Sequence, residues 1–343
     1  MKLKRWLFTE FSTTKKFYNL LLASLQWRFF KNSRVFTYPA RLTICPGNVC
    51  NLSCVLCPTG QHDNQRKQGL MNFDLFKQII DECGPYVYEL SLFNWGEPLL
   101  NTDIFKMVRY AKQYKIRVLI STNLKHFNDT ICAEFIHSGV DNVVVSLDGA
   151  SQESVTKYQV GNDFEKIITN MGKLVSYKRK INVNKPSITW RFLINRFNEH
   201  EQEKAGRLSK KIGIDVLKFN KFRCDMGREL TLSNEEQYSD VKNWLPQDES
   251  LSMYDYSRKK KKKIKLNHCK WLWFQSSINW NGSVAPCCAV WNEKYDFGNV
   301  SGSTFGEIWN SSKYKEARRI VRGDLLESTE NICSVCHSNR AII

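Results

Sequence analysis

The sequence predicts an α/β protein with a parallel β-sheet, because short apolar runs alternate with helical patterns. Six runs rich in β-branched residues predict strands at residues 41–45, 88–93, 116–120, 142–147, 188–193 and 216–219. Helices are predicted between them at residues 73–82, opened by Asn72, and at 103–114, 129–137 and 199–212. Reactive groups in such sheets collect in loops at the carboxyl ends of the strands.

Three cysteines follow the first predicted strand in a C-x3-C-x2-C array: Cys50, Cys54 and Cys57. Four-iron clusters are held by thiolates, and three thiolates from one loop leave one iron without a protein ligand. That open iron can bind a small molecule. The alternatives are three structural thiols or half of a zinc site, but zinc knuckles favour paired C-x2-C spacings. The array therefore favours an iron–sulfur cluster.

This array resembles the cluster motif of the radical S-adenosylmethionine (SAM) enzymes, with Leu56 where that family usually has an aromatic residue. The resemblance implies a partial (β/α)6 barrel and a [4Fe–4S] cluster whose free iron is chelated by the amino and carboxylate groups of SAM. It implies that electron transfer splits SAM to release a deoxyadenosyl radical. An external one-electron reductant, such as flavodoxin or ferredoxin, is then required.

Polar segments follow the second, third and fourth predicted strands. Residues 94–98 read Asn-Trp-Gly-Glu-Pro and resemble the family's Gly-Gly-Glu motif, which receives the SAM ammonium. The resemblance thus implies SAM contacts at Trp95, which replaces a family glycine, and at Gly96 and Glu97. The implied ribose contacts are Ser121, Asn123, Ser146 and Asp148. Taken singly, each of these polar residues could instead belong to an ordinary turn or helix cap.

A second cysteine group occupies the last quarter of the chain. Residues 278–284 predict a β-hairpin with an Asn-Gly turn, and Gly282 stands five residues before a cysteine. This pattern resembles the auxiliary-cluster domain called SPASM, or its shortened form called twitch, with spacing like that of the aminocyclitol dehydrogenases. The resemblance implies a second [4Fe–4S] cluster on Cys269, Cys287, Cys333 and Cys336. The quartet alone is equally consistent with a structural zinc site.

The signals divide the chain into a basic amphipathic segment (1–40), a barrel (41–257) and an auxiliary iron–sulfur domain (258–343). No signal peptide or transmembrane run is recognised, so we expect a reducing cytoplasm. Most remaining cysteines are then predicted to be buried small apolar residues. Cys224 follows the sixth predicted strand. A thiol there could return a hydrogen atom to a substrate radical, although such residues are more often structural.

The net charge of +17 is concentrated in two segments. Residues 1–41 carry nine Lys or Arg and one acid, and residues 258–270 carry eight and none. The nearly neutral remainder argues against a nucleic-acid surface. Apolar residues at helical spacing predict a cationic amphipathic helix, lying on the inner face of a membrane or packed against the barrel. They are Phe17, Leu20, Leu21 and Leu25, followed by Trp27, Phe29 and Phe30.

The leading function is a radical SAM oxidoreductase or epimerase that takes hydrogen from an unactivated C–H bond. Electron transfer to the auxiliary cluster would give dehydrogenation, whereas hydrogen donation by a thiol such as Cys224 would give epimerisation. A sugar, cyclitol or lipid-linked carbohydrate is the preferred substrate, because no peptide-recognition domain is seen ahead of the barrel. The alternatives are a ribosomal-peptide maturase and a zinc-stabilised binding protein that uses its basic patches on nucleic acid or membrane.

Overall fold

The computed structural model describes residues 9–29, 33–222, 234–261, 269–325 and 331–338. In these residues one sheet has nine strands, in the order β11-β10-β9-β1-β2-β3-β4-β5-β6. Its strands are β1 (Arg41–Ile44), β2 (Glu89–Leu92), β3 (Arg117–Thr122), β4 (Asn142–Ser146), β5 (Ser187–Ile194), β6 (Val216–Lys221), β9 (Gln275–Ile278), β10 (Ser283–Ala285) and β11 (Gly298–Asn299). A small separate sheet pairs β7 (Tyr254–Asp255) with β8 (Lys260–Lys261).

The helices alternate with the strands as predicted. Those of the barrel region are α1 (Thr14–Phe29), α2 (Phe73–Cys83), α3 (Ile104–Gln113), α4 (Asp129–His137), α5 (Gln152–Tyr158), α6 (Phe164–Lys180), α7 (Gln202–Ile212) and α8 (Asn234–Val241). Helix α2 begins after Asn72, whose side chain accepts a hydrogen bond from Leu75 N. The remaining helices are α9 (Trp271–Phe274), α10 (Phe305–Trp309), α11 (Ser312–Arg322) and α12 (Ile332–Ser338).

Strands β1 to β6 are parallel neighbours, which confirms the predicted α/β class. Alternate residues of a strand point to opposite faces of a sheet. On one face, Leu90, Val118 and Val143 are fully buried in the main hydrophobic core. The other face carries polar side chains, including Ser146 beside Arg191. The fold therefore keeps a polar surface inside the curved sheet.

The C-terminal hairpin joins the same sheet. Strand β9 pairs in parallel with β1, from Arg41 opposite Gln275 to Ile44 opposite Ile278. Strands β9 and β10 are antiparallel, and Gly282 adopts a positive φ of 83° in the connecting turn. The predicted Asn-Gly hairpin is thus present, because glycine tolerates this conformation without steric cost. Both cysteine-bearing segments consequently extend from one continuous sheet.

Helix α1 packs against the barrel through four residues at i, i+3, i+4 and i+7 spacing: Lys16, Asn19, Leu20 and Ala23. Lys16 Nζ donates hydrogen bonds to the carbonyl oxygens of Tyr114 at 2.7 Å and Lys115 at 2.8 Å. Asn19 Nδ2 donates to Tyr38 O at 2.9 Å. These acceptors precede β3 and β1, so α1 covers the amino-terminal end of the barrel.

The prediction that the apolar residues of this helix lie on a single face is wrong. Leu20 is buried, whereas Leu21 and Leu25 are exposed. The inward face is rotated toward Lys16 and Asn19, because backbone carbonyls at the barrel end satisfy these polar side chains. Phe30 lies outside the described residues. No helix in the described ranges is long and apolar enough to cross a membrane.

A buried arginine links the loop after β1 to the C-terminal segment. The Arg66 guanidinium donates to Asp296 Oδ2 at 2.9 Å and Asp296 Oδ1 at 2.8 Å. It also donates to Trp291 O at 2.6 Å and Ser283 Oγ at 3.1 Å. Paired and bridged in this way, the buried charge is compensated on several sides.

Replacing Arg66 with Met should leave the Asp296 carboxylate, which is only 10% exposed, without its partner. Breaking such a pair typically lowers the free energy of unfolding by about 3–5 kcal/mol. The matched control is Arg207→Met, which breaks an exposed pair with Glu203 and should cost less than about 1 kcal/mol. Urea unfolding of the two anaerobically purified variants measures this difference. Equal losses in both variants would contradict the structural role given to Arg66.

Lys16 should make the stability of the protein pH-dependent. Burial, together with the charges of the nearby Lys112 and Lys115, lowers its pKa from 10.5 to about 7. Between these two pH values the unfolded chain binds more protons than the folded chain, so the free energy of unfolding should rise with pH. The stability that neutral Lys16 contributes at high pH is lost as the pH falls through about 7.

In Lys16→Met, this rise of the free energy of unfolding with pH should be absent. The control Lys15→Met, which changes an exposed lysine, should keep the pH dependence of the parent protein. Urea unfolding at several pH values within that window measures both slopes. The same slope in Lys16→Met and the parent would show that Lys16 is not the group responsible.

Candidate active site

The first cysteine group lies in the loop that follows β1 at the carboxyl edge of the sheet. Backbone hydrogen bonds hold this loop against the end of α5 and the turn that follows it: Ser53 N donates to Val160 O at 3.0 Å, and Val55 N donates to Tyr158 O at 3.1 Å. Cys57 N donates to Cys54 O at 3.2 Å and closes a turn. The loop therefore presents its thiols from a fixed backbone.

The three thiols of this loop lie close enough to influence one another. Burial raises the pKa of Cys50 to about 11 and that of Cys54 well above its usual value. Cys57 and Cys50 raise the pKa of Cys54 further. A metal centre that binds thiolates must therefore displace protons from these sulfurs. Three adjacent thiols on one loop fit a cluster that retains an open iron.

Gly96 locks the loop after β2 against the cysteine loop. A Cβ at this position would lie 2.2 Å from Gly47 O and 2.7 Å from Val49 O. The neighbouring Glu97 N donates to Val49 O at 2.9 Å. Only a residue without a side chain allows this approach. The backbone around Gly96 thus borders the cysteine loop, as the motif resemblance implies.

The carboxylate of Glu97 connects the loops after β2 and β3. Its Oε1 accepts hydrogen bonds from Thr122 Oγ1 at 2.6 Å and Leu99 N at 3.1 Å, and its Oε2 accepts from Asn123 N at 2.7 Å. Burial raises its pKa to about 6, against the opposing effect of these three donors. A carboxylate offers about four acceptor positions. Protein donors occupy three of these positions. The main role of the buried Glu97 carboxylate in this structure is therefore to link the two loops.

Trp95 points toward the C-terminal segment. Its ring lies 5.4 Å from the ring of Trp291, centroid to centroid, in an edge-to-face arrangement. Both tryptophans are buried with Cys45 in one small cluster. The residue that replaces a family glycine therefore fills the junction between the barrel and the second cysteine group. Its backbone carbonyl accepts a hydrogen bond from Thr59 Oγ1.

The predicted polar residues of β3 and β4 meet inside the curved sheet. Ser121 Oγ and Ser146 Oγ are 3.2 Å apart, and Arg191 Nη2 donates to Ser146 Oγ at 2.5 Å. Asn123 Nδ2 donates to Asn51 Oδ1 at 2.8 Å and lies 3.9 Å from Cys50 Sγ. The structure thus places the Asn123 amide against the cysteine loop and brings the two hydroxyls together across β3 and β4.

Asp148 lies just beyond the end of β4. Its Oδ1 accepts a hydrogen bond from Leu193 N at 2.8 Å. Burial raises its pKa to about 6, while Arg191 and the Leu193 amide lower it. Asp148 also lies near Cys54, because its charge raises the pKa of that thiol. It therefore belongs to the same edge of the sheet as the cysteine loop.

Sequence reasoning missed four residues of this site: Asn51, Thr122, Tyr158 and Arg191. Arg191 had a detectable signal, since it is the one charged residue in the predicted apolar run 188–193. Tyr158 is partly buried near Cys54 and Cys57; burial of its hydroxyl raises its pKa well above the usual value, and the two thiols raise it further. Tyr158 stands in no motif, and Asn51 occupies a variable position of the C-x3-C-x2-C array, so only the folded chain reveals their contacts.

The second cysteine group is assembled from three separated segments. Cys269 precedes α9, Cys287 follows β10, and the other two cysteines lie on α12. Burial raises the pKa of Cys287 well above its usual value, and Cys288, Cys336 and Cys333 raise it further. Burial likewise raises the pKa of Cys333, with contributions from Cys336 and Cys269. These mutual effects link all four predicted ligands, with Cys288 beside them.

No two cysteines of the described residues are joined by a disulfide bond. Within those residues no three His, Cys, Asp or Glu side chains are arranged to hold a single metal ion. A four-iron cluster distributes its thiolates over several metal atoms, so it needs a wider arrangement. Cys45, Cys83 and Cys132 are buried, as predicted for spare cysteines. Cys224, the predicted hydrogen donor, lies outside the described residues.

Two family models match the chain at these two cysteine groups. The model described as the radical SAM superfamily matches residues 44–203, and the SPASM model, described as an iron–sulfur cluster-binding domain, matches residues 269–337. This chain belongs to the radical SAM superfamily. The cofactors of this radical SAM protein are SAM and two [4Fe–4S] clusters, which confirms the prediction made from the motifs.

Curated relatives span most of the radical SAM protein. It is 26% identical over 318 residues to a tungsten-containing aldehyde ferredoxin oxidoreductase cofactor-modifying protein of Pyrococcus furiosus, covering 84% of each chain. It is 23% identical over 302 residues to an AdoMet-dependent heme synthase of Nitratidesulfovibrio vulgaris, covering 77% of each. A solved structure of Streptococcus suis SuiB bound to precursor peptide SuiA has the same fold, with a TM-score of 0.62 and 14% identity, covering 93% of this chain and 74% of that chain.

A side chain at Gly96 should displace the cysteine loop. In Gly96→Ala we expect loss of most of the SAM-binding cluster and at least about tenfold weaker SAM binding, a change of about 1.4 kcal/mol. The matched control is Gly206→Ala in α7, where a Cβ meets nothing within 4 Å. Iron analysis and SAM titration of both variants measure the effect. Equal iron content and SAM affinity in the two variants would contradict the interlocking of these loops.

Proposed function

We propose that this radical SAM enzyme oxidises or epimerises a carbon atom of a small organic substrate. When bound, the SAM-binding cluster supplies the electron that cleaves SAM to the deoxyadenosyl radical, which abstracts hydrogen from a substrate C–H bond. The protein contributes position, exclusion of water and charge. Proposed ligands of this cluster are Cys50, Cys54 and Cys57.

The loops around the first cysteine group suit the task of orienting SAM. The backbone beside Gly96, together with the fourth acceptor position of Glu97, can receive the ammonium group of SAM. Ser121, Asn123, Ser146 and Asp148 offer hydroxyl, amide and carboxylate groups to a ribose. A hydrogen bond of 2.5 Å from Arg191 Nη2 to Ser146 Oγ already orients the Ser146 hydroxyl. Because these groups come from consecutive strands, their relative positions are set by the register of the sheet.

The observation that carries the proposal is the mutual proximity of the four C-terminal thiols. Cys287 is influenced by Cys333 and Cys336, and Cys333 by Cys269. Four thiolates can close a four-iron cluster completely. A closed cluster suits electron transfer better than sulfur donation. Dehydrogenation, with the auxiliary cluster as electron acceptor, is therefore the favoured outcome, and Cys224 offers the epimerising alternative.

The proposed substrate is a small molecule, with a sugar, cyclitol or lipid-linked carbohydrate as the first class to test. The cofactor-modifying protein and the heme synthase, whose names indicate other small-molecule products, support a small molecule more generally. A ribosomal peptide is the second candidate, since a protein of the same fold binds a precursor peptide. We further propose a reducing cytoplasm and a flavodoxin or ferredoxin as reductant.

Product analysis separates the two outcomes. The purified enzyme is incubated anaerobically with SAM, dithionite and a panel of cyclitols and hexoses in D2O. A dehydrogenase should form deoxyadenosine and release a product two hydrogens lighter, without solvent deuterium, and Cys224→Ala should leave this unchanged. An epimerase should incorporate one deuterium and stop turnover in Cys224→Ala, while Cys132→Ala serves as the control.

The auxiliary cysteines provide a second test of the same proposal. Cys287→Ala should still cleave SAM but should yield little oxidised product, because the electron then lacks its acceptor. Full product formation by Cys287→Ala would contradict the electron-acceptor role. Transfer of a methyl group or sulfur to the substrate would contradict both oxidation and epimerisation.

A further inference from the structure

The outward face of α1 carries a row of exposed apolar side chains. Among the described residues, six of eleven exposed large apolar side chains lie between positions 18 and 36. Five of them recur at i, i+3, i+4, i+7 and i+11 spacing, which places them on one face of the helix. They are Tyr18, Leu21, Leu22, Leu25 and Phe29, and Phe36 follows the helix. We call these six side chains the α1 outer face.

The α1 outer face cannot be buried by rotating the helix. Lys16 and Asn19 are hydrogen-bonded to the barrel end on the opposite side. Near the end of the helix, Arg322 Nη2 donates to Trp27 O at 3.1 Å and Lys270 Nζ lies 4.3 Å from the centre of the Trp27 ring. Both ends are therefore fixed, and the outer face stays exposed while the helix is docked.

Two arginines flank the C-terminal part of the α1 outer face. The Arg28 guanidinium lies 5.7 Å from the Phe29 ring centre, and that of Arg34 lies 5.9 Å from the Phe36 ring centre. Residues 1–41 contain nine Lys or Arg and a single acid, Glu10. That acid is paired with Lys185. The surface therefore combines an apolar row with two adjacent arginines, in a chain segment whose sequence has net positive charge.

We infer that the α1 outer face docks on an anionic lipid surface. An apolar row can enter the boundary between headgroups and acyl chains while the flanking cations contact anionic headgroups. A second copy of this chain fits less well, because pairing two such faces would bring the Arg28 and Arg34 charges of both copies together. The positive charges beside the face favour an anionic partner, and the long apolar row favours a bilayer as that partner.

Docking through this face leaves the candidate active site accessible. Helix α1 contacts residues that precede β1 and β3, whereas the cysteine loop follows β1 at the opposite end of the strand. The inference is independent of the proposed reaction, since it concerns the other end of the barrel. It adds a membrane surface as a partner for the folded protein.

Vesicle sedimentation of the full-length protein, purified anaerobically, tests this inference. The vesicles contain phosphatidylcholine with about 30% phosphatidylglycerol, or phosphatidylcholine alone. We expect binding to the anionic vesicles that weakens as salt rises from about 0.05 to 0.5 M, because salt screens the headgroup charge. The double variant Leu22→Gln/Phe29→Gln should lower the partition at least about tenfold.

The matched control is Val183→Gln/Val216→Gln, which changes exposed apolar residues elsewhere and should bind like the parent protein. SAM cleavage in solution should be unchanged in both double variants and reports correct folding. Should Leu22→Gln/Phe29→Gln not fold, Arg28→Gln/Arg34→Gln must weaken binding to anionic vesicles instead. The inference is overturned if the parent ignores anionic vesicles at low salt, binds neutral vesicles equally well, or forms a dimer that Leu22→Gln/Phe29→Gln dissociates.

Discussion

The pairing of β9 with β1 is the constraint on which the arrangement of the two cysteine groups depends. Cys45 N donates to Ile278 O at 2.8 Å, so the loop with the first group leaves the sheet beside the C-terminal hairpin. The bonds of Arg66 to Asp296 and the packing of Trp95 on Trp291 then fix the same junction. If this pairing were lost, the two cysteine groups would no longer be held on one rigid body.

Within the barrel, close backbone packing and a buried carboxylate hold the loops at the carboxyl edge of the sheet in place. Gly96 admits the cysteine loop only because it lacks a Cβ, and Glu97 holds the loops after β2 and β3 together. These interactions are short, buried and directional, so they preorganise the edge where SAM is proposed to bind. The pKa values of Glu97 and Asp148, both raised to about 6, reflect the same burial.

Local sequence patterns predicted what depends on local physics. The six barrel strands, the Asn72 cap and the Asn-Gly hairpin follow from side-chain periodicity and turn chemistry. The β9–β1 pairing was not predictable, because hydrogen bonds between residues 234 positions apart in the sequence leave no local signal. The burial of Lys16 was also missed, since its acceptors are carbonyls brought together only by folding. Arg191 was overlooked although its charge interrupts an apolar strand.

Iron content and SAM cleavage of cysteine variants test the central claim most directly. The anaerobically purified protein should be brown, contain about eight irons and form deoxyadenosine with SAM and dithionite. Replacing Cys50, Cys54 and Cys57 with Ala should leave about four irons and abolish deoxyadenosine formation, because the auxiliary cluster would remain. A colourless zinc protein, or a triple variant that still cleaves SAM, would contradict the account.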